Sequence, residues 1–352
     1  METRIHSDHQ VHGDIKSIQI LRFIAATSVV YTHINVSPNF GSFGVDIFFV
    51  LSGFVIALVV SSKQSATVFA ISRLTRIVPL YWLLTTLLLF LIYFKPQYVH
   101  ETTVASATFI NYLKSLFFIP YYSADELKPM LRLGWTLNYE MLFYICVWIS
   151  IISTKKHVLL FSFGFLAAFY LIFGSLSTNK TANGFFGSEL IFEFILGILA
   201  FKIFHSGKLK LAPQSILLPT SILSYGLLAY LEVSGHVGNR FIAFGIPSFI
   251  LVLSVVGLEK YLIKSKSIIT SILTNMGDAS YATYLTHWYV VVACRKVLDE
   301  KLGLYEFYSA PGVTLTLGAS LVIGQITYKY VDKPMNRNMK KLILSKFAKP
   351  SY

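Results

Sequence analysis

LRFIAATSVVYTHI, residues 21–34, is an apolar run of membrane quality with an arginine near one end and a histidine eleven residues further on. Both side chains are costly in hydrocarbon, so each needs a partner or a task. Whether the run is a soluble core helix or a membrane span depends on its surroundings. Of 352 residues, 55% are hydrophobic and only 13% are charged, against roughly 25% charged in a soluble chain. Mean hydropathy is +0.62. These values indicate an all-α integral membrane protein. Windows of about 19 residues give ten spans, near 18–36, 44–61, 77–94, 134–152, 158–174, 187–204, 214–232, 239–257, 279–297 and 310–329. The spans do not alternate polar and apolar, so a helical bundle fits and a β-barrel does not. An eleventh apolar stretch, 104–120, is interrupted by Asn111 and Lys114 and reads as a re-entrant or surface-lying helix.

A formal charge of +13 would suggest nucleic acid in a soluble protein, but its distribution here follows the membrane. With the N-terminus inside, 21 of the 30 Lys and Arg fall on the cytoplasmic side. They cluster at Arg73 and Arg76, Lys155 and Lys156, Lys202 to Lys210, Lys260 to Lys266, and after Tyr328. This positive-inside bias sets the orientation, with some attraction to anionic lipid. The expected organisation is a cytoplasmic leader (1–17), one transmembrane domain (18–333) and a basic cytoplasmic tail (334–352), in a cell inner membrane with both termini cytoplasmic. The first span is longer than a signal-peptide core and others follow it, so no cleaved signal is expected. Cys146 and Cys294 suggest neither a disulfide framework nor a metal site, and no nucleic-acid partner is expected.

Polar residues inside the spans carry the chemistry. Arg22 and His33 are about three helical turns apart, on one face and about 16 Å from each other along the axis. Their plain alternative is a snorkelling arginine and a hydrogen-bonded histidine. FGVDIFFVLSGF (43–54) places Asp46 at a depth similar to His33. A carboxylate beside an imidazole would raise its basicity, as a general base requires. A helix-start aspartate favoured by the dipole is the alternative. SRLTRIVPLYW (72–82) sets Arg73 and Arg76 three apart on one face, suited to a phosphate or equally to membrane anchoring, and Pro79 limits backbone regularity there. LGWTLNYEMLFY (133–144) puts Glu140 about 9 Å into its span, where it needs partners. Glu189 and Glu193 lie near the outer surface. SYATYLTHW (280–288) places His287 near mid-bilayer, below His33, where a structural role is the alternative. Sorted by depth, the arginines mark the inner side, and His33, Asp46, Glu140 and Glu193 the outer half. That layout suits a donor with an anionic head in the cytoplasm and a reactive end reaching outward. It suits a proton-coupled transporter equally.

These motifs resemble the membrane-bound acyltransferase family 3, integral-membrane O-acyltransferases that modify surface polysaccharides. The resemblance covers roughly 15–335. It rests on the Arg22/His33 spacing, GVDIFFVLSGF, SRLTRIVPLYW, WTLNYE, SYATYLTH and GSELIFEFILGILA (187–200). The run IKSIQILRFIAA looks most like the short exopolysaccharide and capsule acetyltransferases. The resemblance implies transfer of an acyl group, acetyl by default, from cytoplasmic acyl-CoA to a sugar hydroxyl of a polysaccharide or its lipid-linked precursor. His33 is then the essential histidine, as general base or acyl carrier, with Asp46 and Glu140 as its acidic partners. Arg22 pairs with His33, and Arg22, Arg73 and Arg76 engage the donor, while Glu193, Trp135 and His287 are expected on the substrate side. Acetyl-CoA is a donor substrate and no permanently bound cofactor is implied. The partners implied are acyl-CoA, a carbohydrate acceptor, the lipid bilayer and polysaccharide assembly machinery. The competing readings are a proton-coupled transporter or acyl-group flippase using the same His, Asp and Glu, and an assembly scaffold.

Overall fold

The computed structural model describes residues 15–123, 126–264, 267–301 and 305–347. Residues 1–14 of the expected leader and the last five of the tail lie outside these. Among the described residues there are helices and turns but no strand ladder. All ten expected spans are helical. We label them α1 (Lys16–Ile34), α2 (Gly44–Ser61), α3 (Ala66–Phe94), α4 (Trp135–Ser153), α5 (Val158–Phe169), α6 (Glu193–His205), α7 (Gln214–Val233), α8 (Ile246–Gly257), α9 (Ser280–Arg295) and α10 (Ala310–Thr327).

Among the described residues, eight segments are long and apolar enough to cross a membrane. The two helices that fall short are α1 and α9, which carry Arg22, His33 and His287. Their polar side chains lower the hydropathy that a window measures. Both are instead held inside the bundle, α1 against α2, α9 and Ile268–Asp278, and α9 against α10. Peripheral helices show the opposite pattern. On α7, Ile222 and Leu223 stand well exposed, an apolar surface that suits lipid rather than water.

Close packing at the centre relies on small residues. A Cβ on Gly53 of α2 would meet the Phe194 carbonyl oxygen at 2.0 Å, and one on Gly197 of α6 would meet that of Val50 at 2.0 Å. The two backbones therefore touch, as small residues allow within membranes. Phe49 then packs on Phe194 at 4.9 Å, and Phe54 on Phe201 at 5.6 Å.

Three segments sharpen the sequence reading. Pro79 does not break α3, which runs through it from Ala66 to Phe94. The interrupted stretch 104–120 does not span. It forms a short helix, Phe109–Leu116, with Phe109, Ile110 and Phe117 exposed, anchored by the Trp82 indole donating to the Leu116 carbonyl (2.7 Å). The expected tail is helical as far as it is described. A π-helical turn, Tyr328–Asp332, joins α10 to Lys333–Phe347, which packs on α3.

Candidate active site

The three arginines expected to share a task do come together. Arg22 of α1 and Arg73 and Arg76 of α3 line one cavity with Glu140 and Tyr144 of α4, Ser52 of α2, and Tyr281 and Tyr284 of α9. It holds about 790 Å³ of empty space, its open mouth included. Its remaining wall is largely apolar, including Val45, Phe48 and Phe49. Among the described residues none of the three arginines makes an ion pair, and the Arg73 Nε is buried without a hydrogen-bond partner. Asp278 and Asp332 lie within electrostatic reach of Arg22 but do not line the cavity.

Glu140 is the carboxylate on the cavity wall. It accepts hydrogen bonds from Ser52 Oγ (3.1 Å) and from the hydroxyl of Tyr144, one turn along its own helix. The structure therefore places Glu140 with the arginines and not beside His33, because α4 turns that face toward α1 and α3. Depth was legible from residue count, but helix rotation was not.

His33 stands exposed in the last turn of α1, which Asn35 ends in a left-handed conformation (φ 60°). Its Nδ1 lies 2.8 Å from the Val29 carbonyl oxygen. A carbonyl only accepts, so Nδ1 carries the proton in that bond and Nε2 keeps a free lone pair. The ring contacts His287 edge-on at 4.9 Å, bringing together the two histidines that the sequence placed at neighbouring depths. His287 is fully buried. Its nearest acceptors are the Thr283 and Tyr284 carbonyls of its own helix, and neither ring nitrogen makes a well-formed hydrogen bond.

Tyr284 connects the two regions. It lines the cavity, and its ring lies 6.0 Å from that of His287. Its hydroxyl donates to the Leu133 carbonyl (2.9 Å) and also meets Thr136 Oγ1 (2.9 Å). Tyr281, one turn earlier, donates to the Ile77 carbonyl of α3 (2.7 Å). Tyr281, Tyr284 and His287 of α9 thus link the cavity wall to His33 by side-chain packing. Their i, i+3, i+6 spacing is the sequence signal of that link.

Asp46 is not brought to His33. It is fully buried and gripped by Arg240, Nε to Oδ1 at 3.0 Å and Nη2 to Oδ2 at 2.7 Å. Glu193 stands beside this pair, fully buried, without a well-formed hydrogen bond of its own. It occupies a closed ionic cluster and not a substrate-facing surface. Neither Asp46 nor Glu140 orients the imidazole; the Val29 carbonyl does. Trp135 is half-buried against Phe49 (6.3 Å) and Tyr139 (6.0 Å) and does not line the cavity. Arg240 escaped the sequence reading, although a lone cation at the depth of an intramembrane aspartate is a recognisable signal.

This is a polytopic helical membrane protein in which a cavity lined by three arginines shares Tyr284 with a packed histidine pair. The model of the acyltransferase domain matches residues 15–337, and the chain belongs to acyltransferase family 3: it is a membrane acyltransferase. Among its relatives, the exopolysaccharide production protein ExoZ of Rhizobium meliloti is 30% identical over 84% of this chain and 90% of its own length. The peptidoglycan O-acetyltransferase OatA of Listeria monocytogenes is 23% identical over 92% of this chain and 56% of its own. A putative O-acetyltransferase of Staphylococcus aureus is 23% identical over 92% and 57%. The chain thus spans little more than half the length of the last two. No solved structure matches it.

Proposed function

We propose that this membrane O-acetyltransferase takes an acetyl group from cytoplasmic acetyl-CoA and transfers it to a hydroxyl of a surface polysaccharide or its lipid-linked precursor at the opposite face. The membrane is the inner membrane, with both termini cytoplasmic. The observation that carries this reading is the gathering of three unpaired arginines in one cavity whose wall residue Tyr284 packs on His287, which packs on His33. Family membership and the O-acetyltransferase and exopolysaccharide relatives supply the reaction class.

In this mechanism the CoA phosphates sit against Arg22, Arg73 and Arg76, where charge-assisted hydrogen bonds are strong. The pantetheine arm lies along the apolar wall. The thioester carbonyl reaches the histidine pair, and the acceptor hydroxyl approaches exposed His33. Its Nε2 takes the hydroxyl proton as the alkoxide attacks the thioester carbon. The C–S bond then breaks and the thiolate takes up the proton, giving ester and CoA. His287, packed edge-on, limits how far the His33 ring can turn. The dispersal of His33, Asp46 and Glu140 over three separate environments favours no proton-relay transporter.

The test uses proteoliposomes supplied with radiolabelled acetyl-CoA and the exported polysaccharide of the producing cell. Wild-type protein labels the glycan as an alkali-labile ester. Solute movement without donor, and no labelled glycan, would contradict the proposal.

A further inference from the structure

The acceptor side of the site carries a charge pattern of its own. The segment before α4 carries charges within electrostatic reach of His33. Within it Glu126 binds two cations at once: Lys128 Nζ at 3.1 Å from Oε1, and the Arg132 guanidinium on Oε2. These three side chains remain a third to nearly half exposed. Burial works to raise the Glu126 pKa, yet Lys128 and Arg132 together hold it below its ordinary value. Two cations thus share one carboxylate, which leaves one positive charge in excess.

That excess lies within electrostatic reach of His33. Arg132 immediately precedes Leu133, whose carbonyl holds the Tyr284 hydroxyl at 2.9 Å. Tyr284 packs on His287, and His287 on His33. Among the described residues, the side-chain charges that act on the His33 ring are those of Lys128 and Arg132. The carboxylates expected there are elsewhere, Asp46 on Arg240 and Glu140 among the inner arginines. A sugar approaching Nε2 therefore meets a positive field. A neutral glycan gains nothing from it, whereas an anion displacing Glu126 from one cation gains a charge-assisted bond.

We propose that the acceptor is anionic near its reacting hydroxyl, and that Lys128 and Arg132 form its specificity subsite, with Glu126 as the built-in competitor that the acceptor's anion displaces. The anion is a sugar carboxylate or a phosphate of a lipid-linked precursor. This rests on the transfer reading only for the face at which the acceptor arrives.

The test measures equilibrium binding to the full chain in nanodiscs. The probes are β-1,4-tetraglucuronate, cellotetraose (the same linkage without carboxylates) and farnesyl diphosphate. The expected result is at least tenfold tighter binding of an anionic probe than of cellotetraose, weakening as salt rises. Combined Lys128→Gln and Arg132→Gln should abolish the preference. Glu126→Gln should tighten anion binding several-fold, a gain that misfolding cannot produce. A preference confined to tetraglucuronate assigns the carboxylate, and one confined to farnesyl diphosphate assigns the phosphate. Equal binding of charged and neutral probes, no binding of either anion, or a preference that survives the double substitution would overturn the proposal. Acetyl transfer is scored separately. Intact charge preference with no glycan acetylated from acetyl-CoA would sink the transfer reading and leave the subsite standing.

Discussion

The charged side chains around Asp46 and those around Ser52 are finished differently. Both groups touch α2: Asp46 belongs to one, and Ser52, about 9 Å further along the helix, to the other. Around Asp46 the carboxylate is paired within the protein. Arg240 supplies one N–H to each of its oxygens, and Glu193 is enclosed beside the pair without a well-formed hydrogen bond of its own. Around Ser52 the arginines are not paired, among the described residues. Three arginines and one glutamate face empty space, and the buried Arg73 Nε has nothing to donate to. A buried donor without a partner costs about 1–3 kcal/mol, and Arg73, unlike the enclosed Glu193, lines a cavity that a ligand can enter. In the proposed function the closed cluster builds the fold and the open one binds the donor.

The comparison breaks most readily at Arg240. Removing it leaves Asp46 buried and unpaired. The expected loss is about 3 kcal/mol, the low end for a buried pair because roughly a third of the Arg240 side chain is exposed. Thermal melting of purified protein in detergent should show the loss. Replacing both partners by apolar residues (Arg240→Met with Asp46→Leu) should recover most of it, with transfer per folded molecule retained. A melt unchanged by Arg240→Ala would remove the cluster's structural role.

Arg73→Ala and Arg76→Ala should do the reverse. Each forfeits a bond to a charged ligand, about 1.5–3 kcal/mol. The KM for acetyl-CoA should therefore rise about 10- to 100-fold while the melting temperature holds. An unchanged KM with a lowered melting temperature would reclassify the arginines as structural. Tyr284→Phe removes the hydroxyl's bonds to Leu133 and Thr136, a cost of about 1 kcal/mol. It should lower kcat more than it raises KM for the donor, because Tyr284 stands where the cavity meets the histidines. The smallest effect is expected at Ser52→Ala, which deletes one 3.1 Å bond to Glu140. It should change the KM for acetyl-CoA less than threefold in steady-state assays.

How much of this was legible in the sequence divides along a physical line. Position along a helix follows from counting at 1.5 Å per residue, so the spans, the depths of the three arginines and the neighbouring levels of His33 and His287 could be read. Rotation about the axis depends on which helices pack together, and α2 meets α8 and its flank only through residues nearly 200 positions away. For that reason Asp46 was paired with the wrong partner and Glu140 assigned to the wrong end of the site. Arg22, His33 and His287 weaken the membrane signal of α1 and α9, and packing inside the bundle makes up the difference.

The most direct test separates holding the donor from using it. Equilibrium binding of acetyl-CoA should be compared with acetyl transfer in wild-type protein, Arg73→Ala/Arg76→Ala and His33→Ala. The arginine variant should lose donor binding and transfer together. His33→Ala should bind acetyl-CoA as wild type does and lose transfer by about 100-fold or more, the scale of a missing general base. Full donor binding by the arginine variant, or undiminished transfer by His33→Ala, would contradict the division of the site into a donor cavity and a transferring histidine.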